Sequence, residues 1–249
     1  MAGHNKWSKI KHRKAVVDKR RGKVWTKVAK AIIVAAKNGG PDPGTNLSLR
    51  YAIDEARYAN MPRDTIERAI QKGAVGSADE NYEPVRYEGY GPGGVAIIID
   101  SLTDNRARTV GDLRLAFANH GGNLGNNGCV AYMFAPKGQI VFNAPGLNED
   151  RIMELAVDAG ADDVLSPDDP SDPAEPWTIL TSVPAFQKVK EALEKAGATI
   201  AEAGIAMIPA EHVSVTGEIA STVVELIDAI EDLDDVQKVY TNADVTEAE

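Results

Sequence analysis

Cysteine is nearly missing: Cys129 is the only one in 249 residues. The chain can therefore form no internal disulfide and no zinc site built on a CxxC pair, which suits a reducing compartment. Histidine is scarce too, and His4, His12, His120 and His212 are scattered with no HExxH pair at helical spacing, so no metal centre is expected. No run approaches the roughly 18 apolar residues of a membrane span. The opening Met-Ala-Gly-His-Asn-Lys-Trp has no apolar segment of a secretory signal, so a cytoplasmic location is expected.

Catalytic motifs are equally thin. There is no G-x-x-x-x-G-K-[ST] loop for a nucleotide phosphate and no G-x-S-x-G elbow for a serine nucleophile. Gly89 to Gly94 spells G-x-G-x-x-G, yet the glycines lead into an apolar run where a dinucleotide site would open a helix. A turn explains them better. Asp104, Arg106 and Arg108 read as an acidic helix cap followed by surface arginines. Cys129 has no neighbouring bases to activate it. The chain is read as a non-enzyme without cofactor or metal.

What is present is charge, unevenly placed. Residues 1–30 hold eleven Lys or Arg against one acid, Asp18, a net of +10. The other 219 residues hold 16 bases and 36 acids, a net of −20, and together these make the overall −10. An anionic molecule with one basic end points to a polyanion partner, because like charges packed together repel until phosphates neutralise them. The candidate contact residues are Lys6, Lys9, Lys11, Arg13, Lys14, Lys19, Arg20 and Arg21, continued by a stripe of Lys23, Lys27 and Lys30. Trp7 offers a ring for an unpaired base or an anchor for the arm, and His12 a donor to phosphate.

Periodicity predicts a helix over 22–37 with Val24, Val28, Ala31, Ile32 and Ala35 on one face. A second is predicted from Leu47 to Asn60, burying Leu49, Ile53, Ala56 and Met61. A third carries Ile66, Ala69 and Ile70 inward and stops at Gly73, before a linker to Asn81. Beyond it, a tight turn over 87–94 precedes a strand at 95–102, a helix at 103–119 and a strand at 129–134. Strand, helix and strand at 212–215, 217–231 and 236–241 complete the domain. Between the halves, strands at 139–142, 161–165, 177–181 and 199–208 with helices at 148–159 and 184–196 spell β-α-β-β-α-β. The acidic, proline-rich 167–176 is read as a solvated loop, and Gly121 to Gly128 as a flexible one.

The expected fold class is α+β: an N-terminal three-helix domain followed by two ferredoxin-like α/β domains, one inserted in the other. The expected boundaries are 1–77, 78–136 with 210–249, and the insertion 137–209.

MAGHNKWSKIKHRKAVVDKRRGKVWTKVAKAI, NLSLRYAIDEARYANMPRDTIERAIQKG, YEGYGPGGVAIIIDSLTDNRARTV, NHGGNLGNNGCVAYMFAPKG and VVELIDAIEDLDDVQKVYTNAD, in that order, resemble the YebC/PmpR family. Cys129 departs from its pattern, where a small polar residue is common, as does Trp25, where another aromatic is usual. The resemblance implies a helical domain, two α/β domains and a role in gene expression. It implies either DNA-binding transcriptional regulation or, as in the mitochondrial branch, translational activation. The expected partner is thus DNA, or ribosomal or transfer RNA with the ribosome itself, and no membrane. A small-molecule sensor or enzyme using a cleft between the α/β domains is the alternative of another class.

Overall fold

A computed structural model describes residues 18–75, 81–144, 146–167 and 175–246, with side chains described from residue 22 onward. Helices α1 (Asp18–Gly39), α2 (Leu47–Tyr58) and α3 (Arg63–Val75) form the N-terminal region. Their apolar stripes meet in one core of Val28, Ile32, Ala36, Leu49, Ile53, Ala56, Met61, Ile66 and Ala69. Each fully buried Ile or Leu there is worth about 1.5–3 kcal/mol. Asn46 stitches the first joint: its Oδ1 accepts from Leu49 N as the α2 N-cap, and its Nδ2 donates to Ala35 O and Gly40 O at 2.8 Å.

Gly73 does not stop the third helix. It is buried within α3, where a Cβ would strike the Ile33 carbonyl and sit 2.8 Å from the Ala36 Cβ. This glycine lets two helices approach, and the helix runs on to Val75. Most of the expected linker, residues 76–80, lies outside the described residues.

The chain divides into two compact units, Met1–Ala135 with Pro209–Glu249, and Pro136–Ile208. In the first, strands β1 (Glu83–Tyr90), β2 (Ala96–Thr103) and β3 (Asn123–Leu124) flank helix α4 (Arg106–Asn119). The second segment adds β8 (Val213–Thr216), α7 (Gly217–Glu231), β9 (Val236–Thr241) and β10 (Ala243–Thr246). The antiparallel sheet has order β3-β1-β2-β9, and β8 pairs with β10 in a separate parallel ribbon. Ile97 and Ile99 of β2 join Leu113 and Phe117 of α4 and Val223, Leu226, Ile227 and Ile230 of α7 in the core.

Two expectations change here. Residues 87–90 are strand and not turn; only Gly91–Gly94 reverses the chain, with Gly93 and Gly94 at φ 71° and 77°. Residues 129–133 are a turn and a 3-10 segment (Ala131–Met133), with strand resuming at Phe134. Strand β1 hides because its buried face reads Val85, Tyr87, Gly89, and Glu88 is buried too. A charge and a glycine mask the alternation on which strand reading depends.

The inserted unit holds β4 (Phe134–Asn143), α5 (Glu149–Ala159), β5 (Asp163–Leu165), β6 (Trp177–Thr181), α6 (Phe186–Lys195) and β7 (Thr199–Pro209). The order β5-β6-β4-β7 is the ferredoxin-like one that β-α-β-β-α-β implies. Asn148 caps α5 by accepting from Arg151 N, and Gly160 ends it at φ 93°. Residues 168–174 of the acidic loop lie outside the described residues.

Candidate nucleic-acid interface

Lys6, Trp7, Lys9, Lys11, His12, Arg13 and Lys14 lie outside the described residues. Lys19, Arg20 and Arg21 fall in the first turn of α1, without described side chains. The structure does place Lys23, Lys27 and Lys30, and it alters their reading. Spaced on one face of α1, they meet the acidic segment Glu231–Asp235 that follows α7.

Lys23 Nζ lies 3.2 Å from Asp232 Oδ1 and donates to the Asp232 carbonyl. Lys27 Nζ donates to the Glu231 carbonyl at 2.5 Å. Lys30 Nζ donates to the Asp234 carbonyl at 3.1 Å and to Asp235 Oδ1 at 3.3 Å, and lies 4.7 Å from the centre of the Tyr82 ring. A helix C-terminus presents unpaired carbonyls and the negative end of its dipole, so cations settle there. The expected open phosphate stripe is thus a joint within the chain. Burial pushes the Lys27 ammonium below its usual pKa, and Glu231 only partly offsets this.

Asp235 is the centre of that joint. Its buried carboxylate accepts from Lys30, from Arg108 Nη2 at 2.6 Å, from Thr109 Oγ1 at 2.9 Å and from Thr103 Oγ1 at 3.1 Å. Burial pushes this carboxyl up, but Arg108, Thr109 and Lys30 outweigh it and hold the group below the usual range. Arg108 is accordingly a working partner, bridging Asp104 and Asp235. The helix cap is Asn105, whose Oδ1 accepts from Arg108 N, and not Asp104. Lys238 Nζ and Glu55 Oε1, 3.4 Å apart, make a second tie between sheet and helices. Tyr240 nearby has its hydroxyl pushed up to about 12 by burial.

The glycine-rich loop after α4 is fixed by a second buried carboxylate. Glu88 Oε1 accepts from Gly128 N at 2.7 Å, and Oε2 from Val130 N and Ala131 N, both at 2.8 Å. Gly125 N donates to the Glu88 carbonyl and Tyr90 OH to the Cys129 carbonyl. Gly122 and Gly125 have no room for a Cβ, which would lie 2.8 Å from Tyr90 O and 2.5 Å from Cys129 Sγ. Burial pushes the Glu88 carboxyl up, and the three amides bring it below the usual range. These amides are taken by the chain's own carboxylate and do not await an external anion. Burial likewise raises the Cys129 thiol, away from reactivity.

Elsewhere, a shallow cavity beside α2 is lined by Pro43, Gly44, Arg50, Ile53, Asp54 and Arg57. Arg50 donates to the Pro43 and Gly44 carbonyls, and Arg57 pairs with Asp54. Among the described residues, no group of His, Cys, Asp and Glu could hold a metal ion. No described helix is long and apolar enough to cross a membrane.

Residue identity alone could not single out Glu88 and Asp235. Asp235 is one of four acids in five positions, and Glu88 looks like any solvated strand residue. Alternation gives no signal either, since it sets Glu88 on the face opposite Val85, Tyr87 and Gly89.

Residues 5–76 match the family model described as the TACO1/YebC protein N-terminal domain, and residues 82–243 match that for the TACO1/YebC second and third domain. The chain is 51% identical over 243 residues to a "probable transcriptional regulatory protein" of Polynucleobacter asymbioticus, covering 98% of this chain and 99% of the relative. It is 52% identical over 247 residues to one of Burkholderia mallei, covering 99% and 100%. A crystal structure of a conserved hypothetical protein from Aquifex aeolicus superposes with a TM-score of 0.86 at 45% identity, covering 98% of each chain.

Proposed function

The chain belongs to the TACO1/YebC family, and on that premise we propose that it is a regulator of gene expression that binds nucleic acid through its first 21 residues. The observation that carries this is the charge partition: eleven bases against one acid in residues 1–30 of an otherwise anionic chain. In this reading Lys6, Lys9, Lys11, Arg13, Lys14, Lys19, Arg20 and Arg21 contact phosphates, with Trp7 and His12 among them. Lys23, Lys27 and Lys30 hold α1 to the acidic turn and so position the segment that precedes it. The acidic remainder repels the polyanion and keeps the contact at one end.

The name its relatives carry favours DNA and transcription. One observation favours RNA: the lysine face of α1, the helix continuous with the basic segment, is turned onto residues 231–235. A helix engaged in that way is poorly placed to read a major groove, whereas backbone and shape recognition suits a folded RNA.

The test compares a regulatory duplex DNA with ribosomes and transfer RNA at physiological salt, using the full chain and a variant lacking residues 1–17. Binding should fall steeply with salt, with a log–log slope near −4.5 if about five phosphates of DNA are contacted. Truncation should weaken it severely, leaving only Lys19, Arg20 and Arg21 of the basic segment, without changing the melting temperature. Duplex affinity confined to about 10⁻⁴–10⁻⁶ M beside ribosome co-sedimentation would replace DNA by RNA. Undiminished binding by the truncated chain would overturn the arm.

A further inference from the structure

We propose that the cavity beside α2 is a second contact for nucleic acid, at which Arg50 and Arg57 together hold one phosphate of the backbone. The inference rests on the nucleic-acid reading above and carries the contact from the basic segment onto the folded helical domain.

Size is the first observation. The cavity measures about 220 Å³ and is lined by Pro43, Gly44, Arg50, Ile53, Asp54 and Arg57. Pockets that engulf a small molecule run to roughly 300–1,000 Å³, whereas a water takes about 30 Å³. The space is short for a metabolite and sufficient for a phosphate group presented by a chain that passes outside.

The second observation is the state of Arg50. This half-buried guanidinium donates from Nε to the Pro43 carbonyl at 3.0 Å and from Nη2 to the Gly44 carbonyl at 3.1 Å. Both acceptors are neutral, and no described carboxylate pairs with it. Two of its five N–H donors are spent, so three donors and the whole charge are left for a ligand. The loop that holds it is itself fixed, with Gly44 N on Asp42 Oδ1 and Asn46 Nδ2 on Gly40 O, both at 2.8 Å. A planar fork already held in place loses little freedom when an oxyanion meets it.

Arg57, two turns further along α2, supplies the rim. Its side chain is 69% exposed, and its bond to Asp54 at 3.2 Å is a surface i,i+3 pair, of the weak kind that a phosphate can displace. The lining thus holds two guanidiniums against one carboxylate.

The body around the cavity agrees in sign. Residues 22–75, whose helices share one core, carry nine bases and five acids. With Lys23, Lys27 and Lys30 engaged on residues 231–235, six bases still face five acids. Residues 76–249 carry ten bases and 31 acids and repel a polyanion; the helical domain does not.

The experiment titrates the full chain with a labelled duplex DNA and with a transfer RNA between 50 and 200 mM salt. It uses the parent, Arg57→Gln, Arg50→Gln, the double variant, and Arg63→Gln, which lies outside the cavity and pairs with Glu67. Arg57→Gln should weaken binding and reduce the log–log slope on the duplex by about 0.9, the share of one phosphate. Over that interval the parent should lose about 3.5-fold more affinity than the variant. Because the phosphate is shared, the double variant should lose the same slope and no more, and Arg63→Gln should match the parent. The melting temperature of Arg57→Gln should be that of the parent, so this variant decides if Arg50→Gln loosens the loop. Weaker binding with an unchanged slope, twice the slope change in the double variant, or unchanged binding overturns the site while leaving the basic-segment reading intact. If the parent binds neither nucleic acid, both readings fall together.

Discussion

Glu88 and Asp235 are both buried carboxylates of the same unit, and they are satisfied in opposite ways. The partners of Glu88 are three amides within four residues of one loop. Those of Asp235 are side chains from α1, α4 and β2, up to 205 residues away in sequence. The first arrangement freezes a local shape; the second ties three elements together. A buried charge is tolerated only when its lost hydration is replaced. The kind of replacement decides whether the charge stiffens a loop or fastens helices to a sheet.

The largest effects should come from removing either carboxylate, and their reach should differ. Glu88→Ala strands three amides under a folded loop and should cost about 4 kcal/mol by urea unfolding, from the penalty per unpaired buried donor. Asp235→Ala should cost about 3 kcal/mol, the smaller loss because Arg108 keeps Asp104. Amide exchange separates the two. Glu88→Ala should accelerate exchange at residues 128–131 beyond the common increase set by the global loss, whereas Asp235→Ala should show such an excess along α1 and around 231–235. A loss confined to the 231–235 turn in Asp235→Ala would break the contrast, since the joint would then be local as well.

Acid sharpens the same contrast at intermediate size. Both carboxyls have folded-state pKa values below their unfolded ones. Their contribution is therefore complete above about pH 4–4.5, where the unfolded carboxyls are ionised. It is lost as the pH falls through the depressed folded values. Stability measured from pH 6 downward should drop below about pH 4, and Glu88→Gln and Asp235→Asn should each flatten part of that slope. A variant with the slope of the parent would show that its carboxylate gains nothing from its partners.

How far these features were legible in the sequence follows from where their partners lie. The α1–α3 stripes and the inserted β-α-β-β-α-β order were readable because each helix or strand announces itself within its own period. Strand β1 was not, since Gly89 offers no side chain to the face of Val85 and Tyr87, and Glu88 is a charge buried on the opposite one. Gly73 read as a stop because a glycine inside a helix gains meaning only when the Ile33 carbonyl opposite is known. The lysines of α1 were correctly found as a face, but their assignment to phosphate ignored an equally acidic segment 200 residues later. Charge patterning shows that a cation needs a partner; only the tertiary fold shows that the partner is Glu231–Asp235.

The smallest predicted effect tests whether that joint is held by buried or by surface charge. Lys23 and Asp232 are both well exposed, so their attraction is screened and offset by the entropy of holding two long side chains. Lys23→Ala should change stability by less than about 0.5 kcal/mol. Lys30 and Asp235 are shielded from solvent, and salt reaches them poorly. Raising sodium chloride from 0.1 to 1 M should therefore leave exchange protection along α1 almost unaltered in the parent. It should weaken nucleic-acid binding steeply under the same conditions. If protection along α1 fell together with binding, the lysines of α1 would be exchanging the acidic turn for phosphate. The joint would then be a competitor for the ligand and no longer a fixed support for the segment that grips it.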